Sequence, residues 1–211
     1  TYGWDKGDVN SSSLNFNFPL PGRFNKYNAM AAICVGLSQG VSMETCQKAL
    51  ERAKGVPGRM EEVISKPFKI IVDYAVTPDA LEQLYQTVKE IHSPSRIIAV
   101  FGSCGGGRDK WKRPLFGEIA LKYCQEIIVT NEDPYDEDPM EIINQVAAGA
   151  KGKAKKILDR REAISEALKT ARPGDVVVVT GKGCEPWIIT SKGKIPWSDK
   201  RIILEEYGKL Y

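Results

Sequence analysis

The chain has 211 residues, 30 basic against 27 acidic, a net charge of +3 and ordinary globular hydrophobicity. That length suits one large domain, or a small piece plus a full domain, and so small a charge argues against nucleic acid as a partner. No apolar run approaches the ~20 residues of a membrane span and no charged-then-apolar leader opens the chain, so membrane insertion is not expected and a cytoplasmic location is.

Residues 1–22 read as an edge, with an alternating strand expected over 13–18, SLNFNF. Helical spacing of alanines and large apolar residues predicts a helix over 25–38. Ser42 caps a second helix, Met43 to Lys54, that stops at Gly55. The turn-rich GVPGR, residues 55–59, marks the expected boundary between residues 1–55 and 56–211.

Beyond the boundary, short apolar strands alternate with capped helices. Lys69 to Asp73 reads as a strand, and Thr77-Pro78 starts a helix to about Ile91. A strand ends at Phe101 and a glycine loop leads to a helix from Leu115 to Cys124; Ile127 to Thr130 is the next strand. Asp138-Pro139 with Glu141 reads as a capping box for a helix to Ala148. A short strand at 156–158, a helix at 162–170, the strand 175–180, an antiparallel strand at Ile188-Ile189 and a helix capped by Ser198 complete the pattern. The expected fold class is α/β: a Rossmann-like, mostly parallel sheet of about six strands, one of them antiparallel, with helices on both faces, preceded by a small helical and edge-strand piece.

In such a sheet, ligands bind beyond the carboxyl ends of the strands. Each strand here is followed by polar residues: Asp73-Tyr74-Ala75-Val76-Thr77-Pro78, the loop Gly102 to Arg113, Asn131-Glu132-Asp133-Pro134, and Gly181-Lys182-Gly183-Cys184-Glu185. Glycines 102, 105, 106 and 107 allow close backbone approach, and Arg108, Lys110, Lys112 and Arg113 bring positive charge. The segment is not a Walker loop, because Gly107 is followed by Arg108-Asp109. Arginine and lysine beside glycine amides suit phosphate or carboxylate, whereas Glu185, Glu132 and Asp133 suit an ammonium. A site holding both signs fits an amino acid. Joining one to an acid requires carboxyl activation, usually as an acyl phosphate, for which the protein positions groups and neutralises charge. The five cysteines are scattered without a C-x-x-C pair, so neither a disulfide framework nor a zinc site is indicated, and no metal ligand is assigned. The single His92 sits in a connection, which makes imidazole-based acid-base chemistry improbable.

Taken in order, PGRF, GVPGRME, VDYAVTPDAL, GRDKWKRP, the NEDP loop and TGKGCE resemble the motifs of the Mur ligases of peptidoglycan synthesis, from about Pro21 to the C-terminus. Within that family the resemblance is to the branch that adds a third amino acid to UDP-N-acetylmuramoyl-dipeptide. It implies an ATP- and Mg2+-using carbon–nitrogen ligase, with the dipeptide nucleotide and a free amino acid as substrates. It also implies that this chain holds the end of a central ATPase domain and a complete C-terminal domain, so that it is not expected to catalyse alone.

The resemblance places Asn25 and Asn28 on adenine, Arg59 on ATP phosphate and Asp73 on ribose hydroxyls, with Arg59, Asp73 and Lys112 counted as catalytic. Arg108 corresponds to the arginine that grips the amino acid's carboxylate, with Lys112 and Arg113 beside the anionic intermediate. Asn131, Gly181 and Glu185 correspond to residues that receive the amino acid. Val76 and Cys184 stand where the family carries histidines, and the glycine loop is one residue longer than usual, with Gly107 before Arg108. Thr130-Asn131-Glu132-Asp133-Pro134-Tyr135 lacks the arginine of the diaminopimelate enzymes, which points to a third residue with a cationic end, such as lysine, or to an unusual diamino acid. A folylpolyglutamate synthase-like or cyanophycin-like ligase, or a non-catalytic binding or interaction domain, are the alternative readings.

Overall fold

The computed structural model describes residues 17–93 and 95–211. The chain divides into two compact units, Thr1–Gly55 and Val56–Tyr211. The strand expected over 13–18 falls mostly outside the described residues, and the described Asn17 and Phe18 are not in a strand.

In the first unit, α1 (Arg23–Ser38) and α2 (Met43–Glu51) form an αα pair. Ser42 caps α2 by accepting from the Thr45 N–H, the arrangement its sequence position predicts. Ala29, Ile33 and Cys46 are the buried side chains of the two helices.

The second unit is a three-layer α/β domain. Its sheet contains β1 (Glu61–Ile64), β2 (Lys69–Asp73), β3 (Ile97–Phe101), β4 (Glu126–Thr130), β5 (Ala154–Ile157) and β6 (Val176–Thr180), in the order β1-β2-β6-β3-β4-β5. Only β1 runs antiparallel to its neighbour. The antiparallel strand expected at Ile188-Ile189 is not part of this sheet, and β1 occupies residues 61–64, where no strand is expected. Those two isoleucines instead lie in β7 (Trp187–Thr190), which pairs with β8 (Gly193–Pro196) as a separate hairpin. The miss has a physical basis, since EEVI is a half-exposed edge strand without a clean alternation.

Period-2 alternation sorts the strand side chains onto two covered faces. Ile71, Ala99, Phe101, Val129 and Val178 pack against α3 (Pro78–Ile91), α4 (Arg113–Tyr123) and α5 (Pro139–Gly149), through residues such as Leu84, Phe116 and Ile143. Ile70, Val72, Ile98, Val100, Ile128 and Val177 pack against α6 (Arg160–Thr170) and α7 (Asp199–Leu210), through Ile164, Leu168 and Ile203. Burial on both sides explains why IIAVF and VVVVT are continuous apolar runs.

Thr77, Asp138, Asp159 and Ser198 cap their helices with side-chain oxygens. The capping box expected at Asp138 is incomplete, because the Glu141 carboxylate accepts from Gln145 Nε2 instead. After β5 the chain crosses to the other face through α6 and returns as β6, inserted between β2 and β3. The insertion brings the loop after β6 between the loops after β2 and β3, at the topological switch where such sheets bind ligands.

Candidate functional site

Parallel register aligns Asp73 with Thr180, Val100 with Val179 and Phe101 with Val129. The four polar loops therefore leave one carboxyl edge together. Hydrogen bonds knit them: Gly105 N–H donates to the Asp133 carbonyl, and Ile189 N–H to Asp133 Oδ1.

At the centre lies Lys182, fully buried. Its ammonium donates to both oxygens of Asp133 at 2.8 Å and to Glu185 Oε2 at 2.5 Å. Two of the three acids read as suited to an ammonium thus already hold one supplied by the chain. The other oxygen of Glu185 accepts from the Tyr74 hydroxyl at 2.8 Å.

The third acid, Glu132, is 6% exposed, and among the described residues none donates a hydrogen bond to it. It lies against Gly181, which has φ +106°, and a Cβ on that glycine would stand 2.5 Å from Glu132 Oε2. Residue 181 is therefore glycine for two reasons, its left-handed backbone and the carboxylate in the space a side chain would need. Burial pushes the Glu132 carboxyl up to about 7, against the pull of Arg160 and Lys182. The folded chain thus penalises its charged form, a cost absent below the ordinary carboxylate range and complete above pH 7. Glu132→Gln is expected to stabilise the chain by about 3 kcal/mol above pH 7 and not at all near pH 4, which urea unfolding at the two pH values would measure.

A second buried cation frames this corner. Arg160, at the start of α6, forms a bidentate pair with Asp199 of α7 and donates to the carbonyls of Asn131 and Thr180. It pins the first residue after β4 and the last of β6 from beneath. Arg160 and Asp199 are 39 residues apart, and nothing in local spacing singled them out.

The cationic side of the edge differs in kind. Arg108 is exposed, and among the described residues no carboxylate pairs with it. Lys112, in the short 3-10 turn Lys110–Lys112, reaches the Val76 carbonyl after β2 at 3.3 Å and stands 3.9 Å from Asp109. Arg113, expected beside an anionic intermediate, is placed elsewhere. It is fully buried, bonded to Glu137, Gln145 and the Cys104 carbonyl. Glu137, held down to about 2 by Arg113, the Gly107 N–H and Lys110, ties the glycine loop to the loop after β4. Arg113 therefore shapes the loop that presents Arg108 rather than meeting a ligand.

At the near end, Asp73 Oδ2 accepts from the Met60 N–H, and burial raises its carboxyl against that bond and the Arg59 charge. The exposed Arg59 stacks on the Tyr74 ring, 4.6 Å from its centroid. Asn131 is half-buried, its carbonyl taken by Arg160. In the first unit, Asn25 donates to the Pro21 carbonyl and Asn28 to Asn25. Among the described residues no cluster of His, Cys, Asp and Glu is arranged to hold a metal ion, and no described helix is long and apolar enough to cross a membrane.

An exposed arginine on one side and three acids on the other thus face each other across the switch-point edge, the place where open α/β sheets carry their ligand sites. Residues 58–183 match the family described as Mur ligase, glutamate ligase domain, and the chain belongs to the Mur ligase family. It is 45% identical over 199 residues to a UDP-N-acetylmuramoyl-L-alanyl-D-glutamate–2,6-diaminopimelate ligase of Syntrophomonas wolfei, covering 92% of this chain and 40% of that one. A UDP-N-acetylmuramyl-tripeptide synthetase of Roseiflexus is 47% identical over 200 residues, covering 90% and 39%. A solved diaminopimelate ligase of the same type superposes with a TM-score of 0.69 at 33% identity, over 92% of this chain and 40% of its own. The chain thus spans about 40% of the length of these relatives. A folylpolyglutamate synthase of Mycobacterium tuberculosis, at 19% identity and TM-score 0.64, shares the fold.

Proposed function

We propose that this chain is the amino-acid-binding portion of an ATP-dependent ligase of peptidoglycan precursor synthesis, one that adds the third amino acid to UDP-N-acetylmuramoyl-dipeptide in the cytoplasm. The observation that carries the reading is the division of the carboxyl edge: an exposed Arg108 with no carboxylate partner among the described residues on one side, and Glu132, Asp133 and Glu185 on the other.

In this reading Arg108 binds the carboxylate of the incoming amino acid, and Lys112 adds positive charge beside it. Glu185, oriented by Tyr74 and Lys182, receives an ammonium near Gly181 and Asn131. The deprotonated amine attacks the carbonyl carbon of an acyl phosphate, the amide forms, and inorganic phosphate leaves with the bonding pair. Arg59 and Asp73, at one end of the same edge, contact phosphate and ribose of the nucleotide. ATP supplies the activated phosphoryl group. Among the described residues no group of three or more His, Cys, Asp and Glu side chains could hold a metal ion, and none of the roles above runs through Mg2+.

The third residue is proposed to carry a second cationic group. Lys182 already holds both Asp133 and Glu185, and the buried Glu132 is the one of the three acids that lacks a hydrogen-bonded partner among the described residues. Tyr135 closes the NEDPY segment with an aromatic ring, so that segment offers no guanidinium for a distal carboxylate. Competition between lysine, ornithine and diaminopimelate in a ligase assay of the complete gene product tests both levels. Preferred incorporation of a monocarboxylic diamino acid is expected. Strict use of diaminopimelate overturns the side-chain assignment alone, and failure to extend the UDP-linked dipeptide with any amino acid overturns the ligase reading.

A further inference from the structure

We infer that Tyr74 is a positioning residue that couples the nucleotide-side Arg59 to the amino-acid-side Glu185, an inference that rests on the roles proposed above for those two residues. The ring carries two different contacts on one rigid body. Its face holds the Arg59 guanidinium at 4.6 Å, and its hydroxyl donates to Glu185 Oε1 at 2.8 Å. Glu185 is fixed at its other oxygen by Lys182, and Lys182 by Asp133 of the loop after β4. An unbroken series of contacts therefore runs Arg59, Tyr74, Glu185, Lys182, Asp133, across the loops after β2, β6 and β4.

The backbone beneath this series has no slack. A Cβ on Gly58 would stand 2.3 Å from the Cys184 nitrogen, and one on Gly183 would stand 2.7 Å from Tyr74 Cβ. The turn bearing Arg59, the residue Tyr74 and the loop bearing Glu185 are thus in direct backbone contact, and packed contacts transmit displacement rather than absorb it. Burial and the Glu185 carboxylate push the Tyr74 phenol up to about 12, so the hydroxyl stays a donor throughout the neutral range. A ligand ammonium that draws on Glu185 changes the acceptor of that hydroxyl, and with it the ring on which Arg59 rests. Linkage makes the effect reciprocal: a phosphate that orders Arg59 favours the ring position that aims Glu185.

The test is steady-state kinetics of the complete gene product, with the amino acid varied at several fixed ATP concentrations. Tyr74→Phe keeps the ring under Arg59 and deletes only the hydroxyl. It is expected to raise the amino-acid KM about tenfold, the size of one hydrogen bond to a charged group, to leave kcat within about twofold, and to abolish the decrease in amino-acid KM as ATP rises. Tyr74→Leu removes the ring as well and is expected to raise the ATP KM too. In a double-mutant cycle, Y74F on an E185Q background adds little, because the bond is weakened in both. An active wild type whose Y74F variant keeps both KM values and their mutual dependence overturns this inference and leaves the ligase reading standing. A wild type that joins no amino acid to the dipeptide substrate overturns both.

Discussion

Replacing Asp199 with alanine is expected to lower the stability of the chain by about 3–5 kcal/mol. Asp199 is fully buried and receives both Nε and Nη2 of Arg160, at 2.8 and 2.7 Å, together with the Trp197 indole N–H. Its loss leaves a buried guanidinium with only the Asn131 and Thr180 carbonyls as acceptors. A full charge in that position costs far more than the pair itself ever contributed. The control is therefore Arg160→Met with Asp199→Leu, which removes both charges and is expected to recover most of the loss. Guanidinium unfolding of the single and double variants measures it. A single variant within about 1 kcal/mol of wild type would show that the corner admits water. The same pair fixes the ends of β4 and β6, so the double variant separates stability, which returns, from site geometry, which does not.

Lys182→Met is expected to produce the second large loss, about 3–5 kcal/mol at pH 7, with a distinctive pH dependence. Lys182 answers two carboxylates, Asp133 and Glu185. Without it, Glu132, already raised by burial, loses the pull of that ammonium and keeps two like charges beside it. A raised acid destabilises the folded state as pH climbs through its ordinary pKa and beyond. The deficit should accordingly be smallest at the acid end of the range and largest above neutrality. The wild-type lysine is shifted upward by the same partners, although burial opposes them, so its contribution persists to alkaline pH. Thermal unfolding across pH 4–8 distinguishes this from simple loss of packing, which would lower stability equally at every pH. Because Ile189 N–H and the Tyr74 hydroxyl bond to the same two carboxylates, the variant should also lose affinity for the amino acid in the ligase assay.

The architecture was legible because its signals are local. Two-sided burial writes itself as unbroken runs, IIAVF and VVVVT, and caps such as Thr77 and Ser198 mark helix starts with a single side chain. β1 escaped because an edge strand buries too little to need a pattern. At the site, the loops were readable as polar punctuation after strands, and Arg108 as a cation beside glycines, whereas its exposure is a finding of the structure. Arg113 was misread for the same reason: a charge at a helix start gives no sign, in sequence, that Glu137, Gln145 and the Cys104 carbonyl surround it.

What the sequence by itself determined is the alternation of strands and helices, the positions of the loops that carry chemistry, and the motifs that place the chain among the Mur ligases. Periodicity and capping act over a few residues, and motif order survives without coordinates. What only the tertiary structure decided is which charges are spent. Lys182 is consumed by Asp133 and Glu185, Arg160 by Asp199 and Arg113 by Glu137, while Arg108 and Glu132 lack such partners among the described residues. Pairing is set by distance in space, at sequence separations of 24 to 49 residues for the long-range partners, and no local pattern encodes it.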